Sequence, residues 1–250
     1  YMEKTIVLLH GFGEDHRVFE EQIASLRALY RVFAPDLPGS GILKDHTWKE
    51  GTETIEWMAE WVFEQLITEN ITGCIMLGHS MGGYITLAFA EKYSHMLQAF
   101  GLIHSTAFAD ADEKKETRTK AITFMQEKGG HTFLKTAIPG LFAPDFTKNY
   151  SQIVNDLVEK ARDFQLKSLT AYYRAMKERP DRSQVLITAM IPVLIVAGAH
   201  DMAAPLTDLL KQSSLPATCH FHILQNAGHM GMLEAPKNLC DILLNFISVV

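Results

Sequence analysis

The sequence is poor in cysteine, with three in 250 residues: Cys74, Cys219 and Cys240. The number is odd and the spacing fits no metal motif, so neither a disulfide framework nor a zinc site organises the chain. It lacks a basic block, and its formal net charge is −6. Nucleic acid and an anionic membrane surface are therefore excluded as expected partners. The one dense charged run, Asp110-Ala111-Asp112-Glu113-Lys114-Lys115-Glu116, is mixed in sign and reads as a solvated helix start. No apolar run is long enough to span a bilayer. A signal-peptide pattern is missing too: Tyr1-Met2-Glu3-Lys4 leads straight into an apolar strand. Met2 reads as the natural start, and the cytoplasm is the expected location. Internal repeats and low-complexity segments are absent. A chain of this length that is 47% hydrophobic suits one sizeable α/β domain.

What is present is alternation. Short apolar runs of buried-strand type occur at Thr5-Ile6-Val7-Leu8-Leu9, Tyr30 to Ala34, Ile71 to Leu77, Ala99 to Ile103, Pro192 to Ala197 and about Cys219 to Leu224. Helical periodicity lies between them. One helix carries Phe19, Ile23, Leu26 and Leu29, another runs from about Thr54 to Thr68, and others cover about Tyr84 to Lys92, Leu206 to Ser213 and Ala235 to Ile247. Strand, helix, strand, helix implies a doubly wound, mostly parallel sheet of about six strands. The alternation stops over residues 105–192, which show only helical periodicity and are too apolar for a loose loop. That stretch is expected to be a helical lid inserted between the fourth and fifth strands. Residues 1–104 and 193–250 are then the core.

In such sheets function gathers at the carboxyl ends of the strands. The third strand ends in Gly78-His79-Ser80-Met81-Gly82-Gly83, a Gly-x-Ser-x-Gly between strand and helix. The serine must take a strained backbone there, and the glycines two residues either side remove the side chains that would collide. The strain pushes the Ser80 hydroxyl out at the sheet edge. The Met81 N–H at the helix start faces the same space and can bond an oxyanion. The first strand ends in His10-Gly11-Phe12-Gly13, where the Phe12 N–H is the expected second donor. At the second exit Asp36 could be an acid, but the surrounding turn chemistry favours a loop-fixing role. Asp201 follows the fifth strand; alone it reads equally as a helix-start acid. His229 follows the sixth strand between glycines, and His104 at the fourth exit is the reserve histidine. His220 and His222 share a strand face but lack a third ligand for a metal. Nucleophile, acid and base then run in the order Ser80, Asp201, His229, from three exits on one sheet edge.

These pieces resemble the α/β-hydrolase superfamily over essentially the whole chain, in particular its small, lid-bearing, esterase-like serine hydrolases. The resemblance rests on His10 to Gly13, Asp36 to Gly41, Gly78 to Gly83, Gly198-Ala199-His200-Asp201 and Ala227-Gly228-His229, with Met176 to Asp181 before the late strand. It implies a Ser80–His229–Asp201 triad, no cofactor, and cleavage of a carboxylic ester or thioester of a small or medium acyl group through an acyl-enzyme. Many members have two strands before the His-Gly segment; here that segment arrives at residue 10, so a short sheet is expected. An aspartate at the elbow, as in epoxide hydrolases and haloalkane dehalogenases, is ruled out by Ser80. Phe12, Met81, Phe142, Met202 and Met230 are candidate pocket walls, although core packing is the stronger reading of each taken singly. Two other readings use the same residues. A carbon–carbon bond hydrolase or lyase would call for a lid arginine in the pocket, with Arg118, Arg162 and Arg174 as the ones to check. A small-molecule receptor would carry a near-idle triad.

Overall fold

The computed structural model describes residues 4–250, so the expected start at Met2 lies outside the described residues. The chain runs β1 (Thr5–Leu9), α1 (Glu20–Arg27), β2 (Arg31–Phe33), α2 (Ile55–Thr68), β3 (Cys74–His79), α3 (Met81–Tyr93) and β4 (Leu97–Ile103). Six helices follow without a strand: α4 (Asp112–Lys128), α5 (Gly130–Ala137), α6 (Pro144–Asn149), α7 (Ser151–Lys160), α8 (Leu166–Glu178) and α9 (Ser183–Ile187). Then come β5 (Val193–Gly198), α10 (Leu206–Ser213), β6 (Cys219–Leu224), α11 (Gly231–Glu234) and α12 (Pro236–Val249).

The described strands form one parallel sheet in the order β2-β1-β3-β4-β5-β6. The chain starts in the interior at β1, moves outward to β2, then returns past β1 to β3. The direction of winding therefore reverses between β1 and β3, where Leu9 stands opposite Gly78. A crevice opens at such a switch point because the connections on its two sides leave toward opposite faces.

Alternate strand residues feed two separate cores, which is why the strands read as unbroken apolar runs. Val7, Leu9, Met76, Phe100 and Ile195 pack with Met58 and Val62 of α2, and with Ile85 and Phe89 of α3. Ile6, Leu8, Ile75, Leu77 and Val196 pack on the opposite face with Phe19, Ile23 and Leu26, and with Leu239, Leu243 and Phe246 of α12. Truncating any one of these fully buried leucines to alanine costs about 2–5 kcal/mol.

Several boundaries differ from the sequence reading. Helix α3 begins at Met81, the helix start expected from the serine turn, although its periodicity reads clearly only from Tyr84 because Gly82 and Gly83 lower the helix propensity of the first turn. Strand β3 begins at Cys74, three residues after Ile71; Asn70 stands at φ 56° in the turn before it. Leu29 lies beyond the end of α1 and is 65% exposed, so it is no part of the core. The helices between β4 and β5 rest on the carboxyl-edge loops of the sheet. Tyr172 Oη of α8 donates to the Pro38 carbonyl at 2.7 Å, Trp48 Nε1 donates to Ser168 Oγ at 3.1 Å, and the Phe12 and Tyr173 rings meet at 4.6 Å.

Candidate active site

Ser80 joins β3 to α3 with φ 51° and ψ −115°, a conformation that a side chain makes costly. Its neighbours make the turn possible. A Cβ on Gly78 would lie 2.2 Å from the Gly82 carbonyl oxygen, and one on Gly82 would lie 2.2 Å from that of Leu9. The Ser80 N–H donates to the Ile103 carbonyl at 3.0 Å, and Ser105 Oγ donates to the Ser80 carbonyl at 2.7 Å. These bonds tie the turn to the end of β4. Met81 is the first residue of α3, so its N–H has no partner within the helix.

His229 Nε2 is 2.9 Å from Ser80 Oγ, and His229 Nδ1 is 2.8 Å from Asp201 Oδ2. Asp201 and His229 are each 4% exposed. The carboxylate is fully engaged. Its Oδ1 accepts the Ala203 and Ala204 N–H groups at 2.8 Å each, and its Oδ2 also lies 3.2 Å from His104 Nδ1. Burial would push the Asp201 carboxyl up, but the facing His229 and the hydrogen bonds from His104 and His229 hold it well below the usual carboxylate range. Because ionised Asp201 only accepts, Nδ1 of His229 carries the proton and the lone pair of Nε2 is left facing the serine.

His104 is fully buried, sits at φ 49°, and its Nε2 has no partner among the described residues. Burial pulls its imidazole down to about 4 despite Asp201. It is thus a neutral donor to Asp201 and makes no contact with Ser80. His104, Asp201 and His229 converge closely enough to consider as metal ligands, but the two histidine Nδ1 atoms there are both engaged on Asp201 Oδ2.

A second buried pair, which sequence reasoning missed, lies behind this chain of bonds. Glu14 Oε2 accepts the Gly11 N–H at 2.9 Å and lies 3.0 Å from His79 Nδ1. His79 Nε2 is 2.9 Å from the His229 carbonyl. Burial disfavours charge on both, yet their mutual attraction and hydrogen bond lower the Glu14 carboxyl and raise the His79 imidazole, giving an ion pair. His79, the residue before the serine in the motif, therefore links the Gly11 turn to the His229 loop. Glu234 completes that loop by accepting the Gly228, Met230 and Ala143 N–H groups at 2.8–3.0 Å. Asp36 takes its expected structural part, accepting the His16 and Ile42 N–H groups at 2.9 Å each.

Ser80 and His229 open into a cavity of about 240 Å³, lined mainly by Phe12, Tyr84, Arg118, Phe133, Leu141 and Tyr173. A larger hollow of about 440 Å³ beside Glu91 and Met190 has no serine or histidine pair of this kind. Phe12 is thus a wall, but the four other expected walls are not. Met202 is 83% exposed, having turned outward on the loop after β5. Met230 is completely buried in the core beneath the His229 loop. Phe142 stacks on Phe146 at 5.4 Å and presents its backbone, not its ring, to the loop holding His229. Met81 likewise buries its side chain in the core and offers the elbow only its N–H. Of the three arginines, Arg118 lines the cavity; Arg162 pairs with Glu159 and Arg174 with Glu53.

The profile of the Alpha/beta hydrolase family matches residues 6–242. The putative esterase/lipase 2 of Mycoplasma pneumoniae is 25% identical over 255 residues, covering 97% of this chain and 88% of that protein. A 1-acylglycerol-3-phosphate O-acyltransferase of Arabidopsis thaliana is 34% identical over 119 residues, but the match covers 46% of this chain and spans only 28% of that protein's length. Among solved structures, a thermophilic esterase from Thermogutta terrifontis superposes with a TM-score of 0.91 at 26% identity, over 98% of this chain and 89% of that one. Among the described residues no helix is long and apolar enough to cross a membrane. With a family match that runs from β1 into α12, on a parallel sheet whose switch point carries the serine turn, this chain belongs to the alpha/beta hydrolase family.

Proposed function

We propose that the protein is a serine hydrolase that cleaves a carboxylic ester or thioester of a small or medium acyl group, with Ser80, His229 and Asp201 as its triad. The observation that carries this reading is the unbroken hydrogen-bonded chain from Ser80 Oγ through His229 to Asp201, at the mouth of a cavity. A serine hydroxyl is a weak nucleophile until a base takes its proton. His229 Nε2 accepts that proton as Ser80 Oγ attacks the carbonyl carbon, and Asp201 stabilises the resulting imidazolium and fixes its orientation. The tetrahedral oxyanion is bonded by the Phe12 and Met81 N–H groups. Collapse expels the alcohol or thiol, which takes the proton from His229. Water then repeats the sequence on the acyl-enzyme and releases the acid. Residues 105–192 act as the lid: Arg118, Phe133 and Tyr173 come from α4, α5 and α8 and roof the cavity over the serine.

Arg118 is the residue that a carbon–carbon bond hydrolase with an anionic substrate would call for, and it does line the cavity. It speaks to the charge of the substrate and not to the bond broken. The test is a panel of acyl esters and thioesters of graded chain length with wild type and Ser80→Ala. Turnover of short and medium esters that falls at least 10³-fold in Ser80→Ala is expected. Equal activity in the two proteins would dispose of the mechanism.

A further inference from the structure

Three cations crowd one carboxylate beside the Ser80 cavity. Arg118 Nε donates to Asp110 Oδ2, and Arg179 NH1 lies 2.9 Å from Asp110 Oδ1. Lys114, on α4 one turn before Arg118, also acts on Asp110 but spends its Nζ on the Ala203 carbonyl at 2.9 Å. Among the described residues no second carboxylate pairs with any of the three. The other acids nearby are committed: Glu14 to His79 and the Gly11 N–H, Asp201 to two histidines and two N–H groups. Two positive charges are thus left over at one end of the cavity.

Arg179 does not itself line that end; its guanidinium packs 3.8 Å over the ring of Tyr84, which does. Arg118 and Lys114 both line it. Arg118 is 9% exposed, with its guanidinium 5.3 Å from the Tyr173 ring centre and NH1 3.6 Å from Met176 Sδ. Its NH2 has no acceptor among the described residues. A strut holding Asp110 would need only Nε; it leaves NH2 without an acceptor and the charge of Lys114, which bonds only a neutral carbonyl, without a counter-charge of its own. A cation this buried is costly unless its charge is answered; Asp110, shared with Arg179, answers it only in part, and Arg118 lines the space that a substrate fills.

We propose that the cavity takes an ester whose far end is a carboxylate, held by Arg118 with Lys114 at the mouth; this rests on the hydrolase reading above. A planar guanidinium edge matches the two oxygens of a carboxylate. The walls between the cations and Ser80 are apolar: Phe12, Phe133, Leu141 and Tyr173. They fit a methylene linker. At about 240 Å³ the cavity lies below the usual range of ligand pockets, roughly 300–1,000 Å³. The substrate class is therefore a half-ester of a short dicarboxylic acid.

Monomethyl glutarate and dimethyl glutarate test this, since they differ by one methyl group and one charge. Binding is read by calorimetry on Ser80→Ala, and turnover on wild type. The half-ester is expected to bind at least tenfold tighter and to show at least tenfold higher kcat/KM. Arg118→Gln abolishes the preference. Arg118 is buried against Asp110, so that variant can fail to fold. Lys114 is half-exposed, and Lys114→Gln lowers the preference at least threefold in a folded protein. Equal binding of the two esters, or a preference unchanged in Lys114→Gln, overturns the proposal. Tight, charge-selective binding to Ser80→Ala without turnover by wild type leaves the carboxylate site standing and removes the hydrolase reading.

Discussion

His104 makes stability depend on pH between its lowered value in the fold and its ordinary value when unfolded. Burial lowers its imidazole from 6.5 to about 4. A histidine that is neutral in the fold takes up a proton more readily when unfolded, so its contribution is complete above pH 6.5 and is lost as pH falls toward 4. The difference of about 2.5 pH units corresponds to about 3 kcal/mol at 1.36 kcal/mol per unit. Groups facing it are Asp201 after β5, His229 after β6 and His79 at the end of β3. Carboxyls lowered in the fold, such as Asp201, Glu14 and Asp36, lose their contribution only below their ordinary values of 3.8–4.5. His10 is also lowered by burial and adds a slope of the same sign, so the comparison must be between two proteins. His104→Asn is the variant to use. Asparagine tolerates the positive φ of residue 104 and can place an amide N–H near the Nδ1 position, but it does not titrate. Urea melts between pH 7 and 4.5, which cover most of that window, should show wild type losing about 2.4 kcal/mol more than the variant. At about 3 kcal/mol per molar urea, that is a midpoint difference approaching 1 M. Parallel loss in the two proteins would refute the reasoning.

Two further perturbations test the frame around the serine. Gly82→Ala would put a methyl group 2.2 Å from the Leu9 carbonyl oxygen and 2.7 Å from that of His10. It should cost about 1–3 kcal/mol in urea melts and at least 100-fold in esterase kcat, because the end of β1 and the turn after it that carries Phe12 must back away from the elbow; an unaffected kcat would mean that the close approach is dispensable. Glu14→Gln breaks the buried pair with His79 and should destabilise by about 3 kcal/mol, lowering Tm by roughly 6–12 °C. A shift below 2 °C in calorimetry would show that the pair contributes nothing net.

The sheet was legible because each strand is a short apolar run covered on both faces, and the serine turn because its glycines and flanks allow little else. Asp201 and His229 could be read only through their positions after strands, since either residue alone has ordinary structural uses. The pocket was not legible. Met202, Met230 and Phe142 stand near the right exits in sequence, but whether a side chain on a loop turns in or out depends on packing from distant segments. Glu14 and His79 were missed for a similar reason: their partnership spans 65 residues and exists only once β1 and β3 lie side by side. Arg118 could be named as a candidate but not chosen over Arg162 and Arg174, because the helical periodicity of residues 105–192 does not say which face meets the sheet. Residue type and strand order pointed to Ser80, Asp201 and His229, which the fold brings together; the contacts between remote segments decided the walls.

The central claim is that Ser80 is activated by His229 and Asp201. Its most direct test is intact-protein mass spectrometry after treatment with a fluorophosphonate, using wild type and Ser80→Ala side by side. One added label on wild type and none on Ser80→Ala is the predicted result. Labelling of both proteins, or of neither when short esters are also left intact, would contradict it.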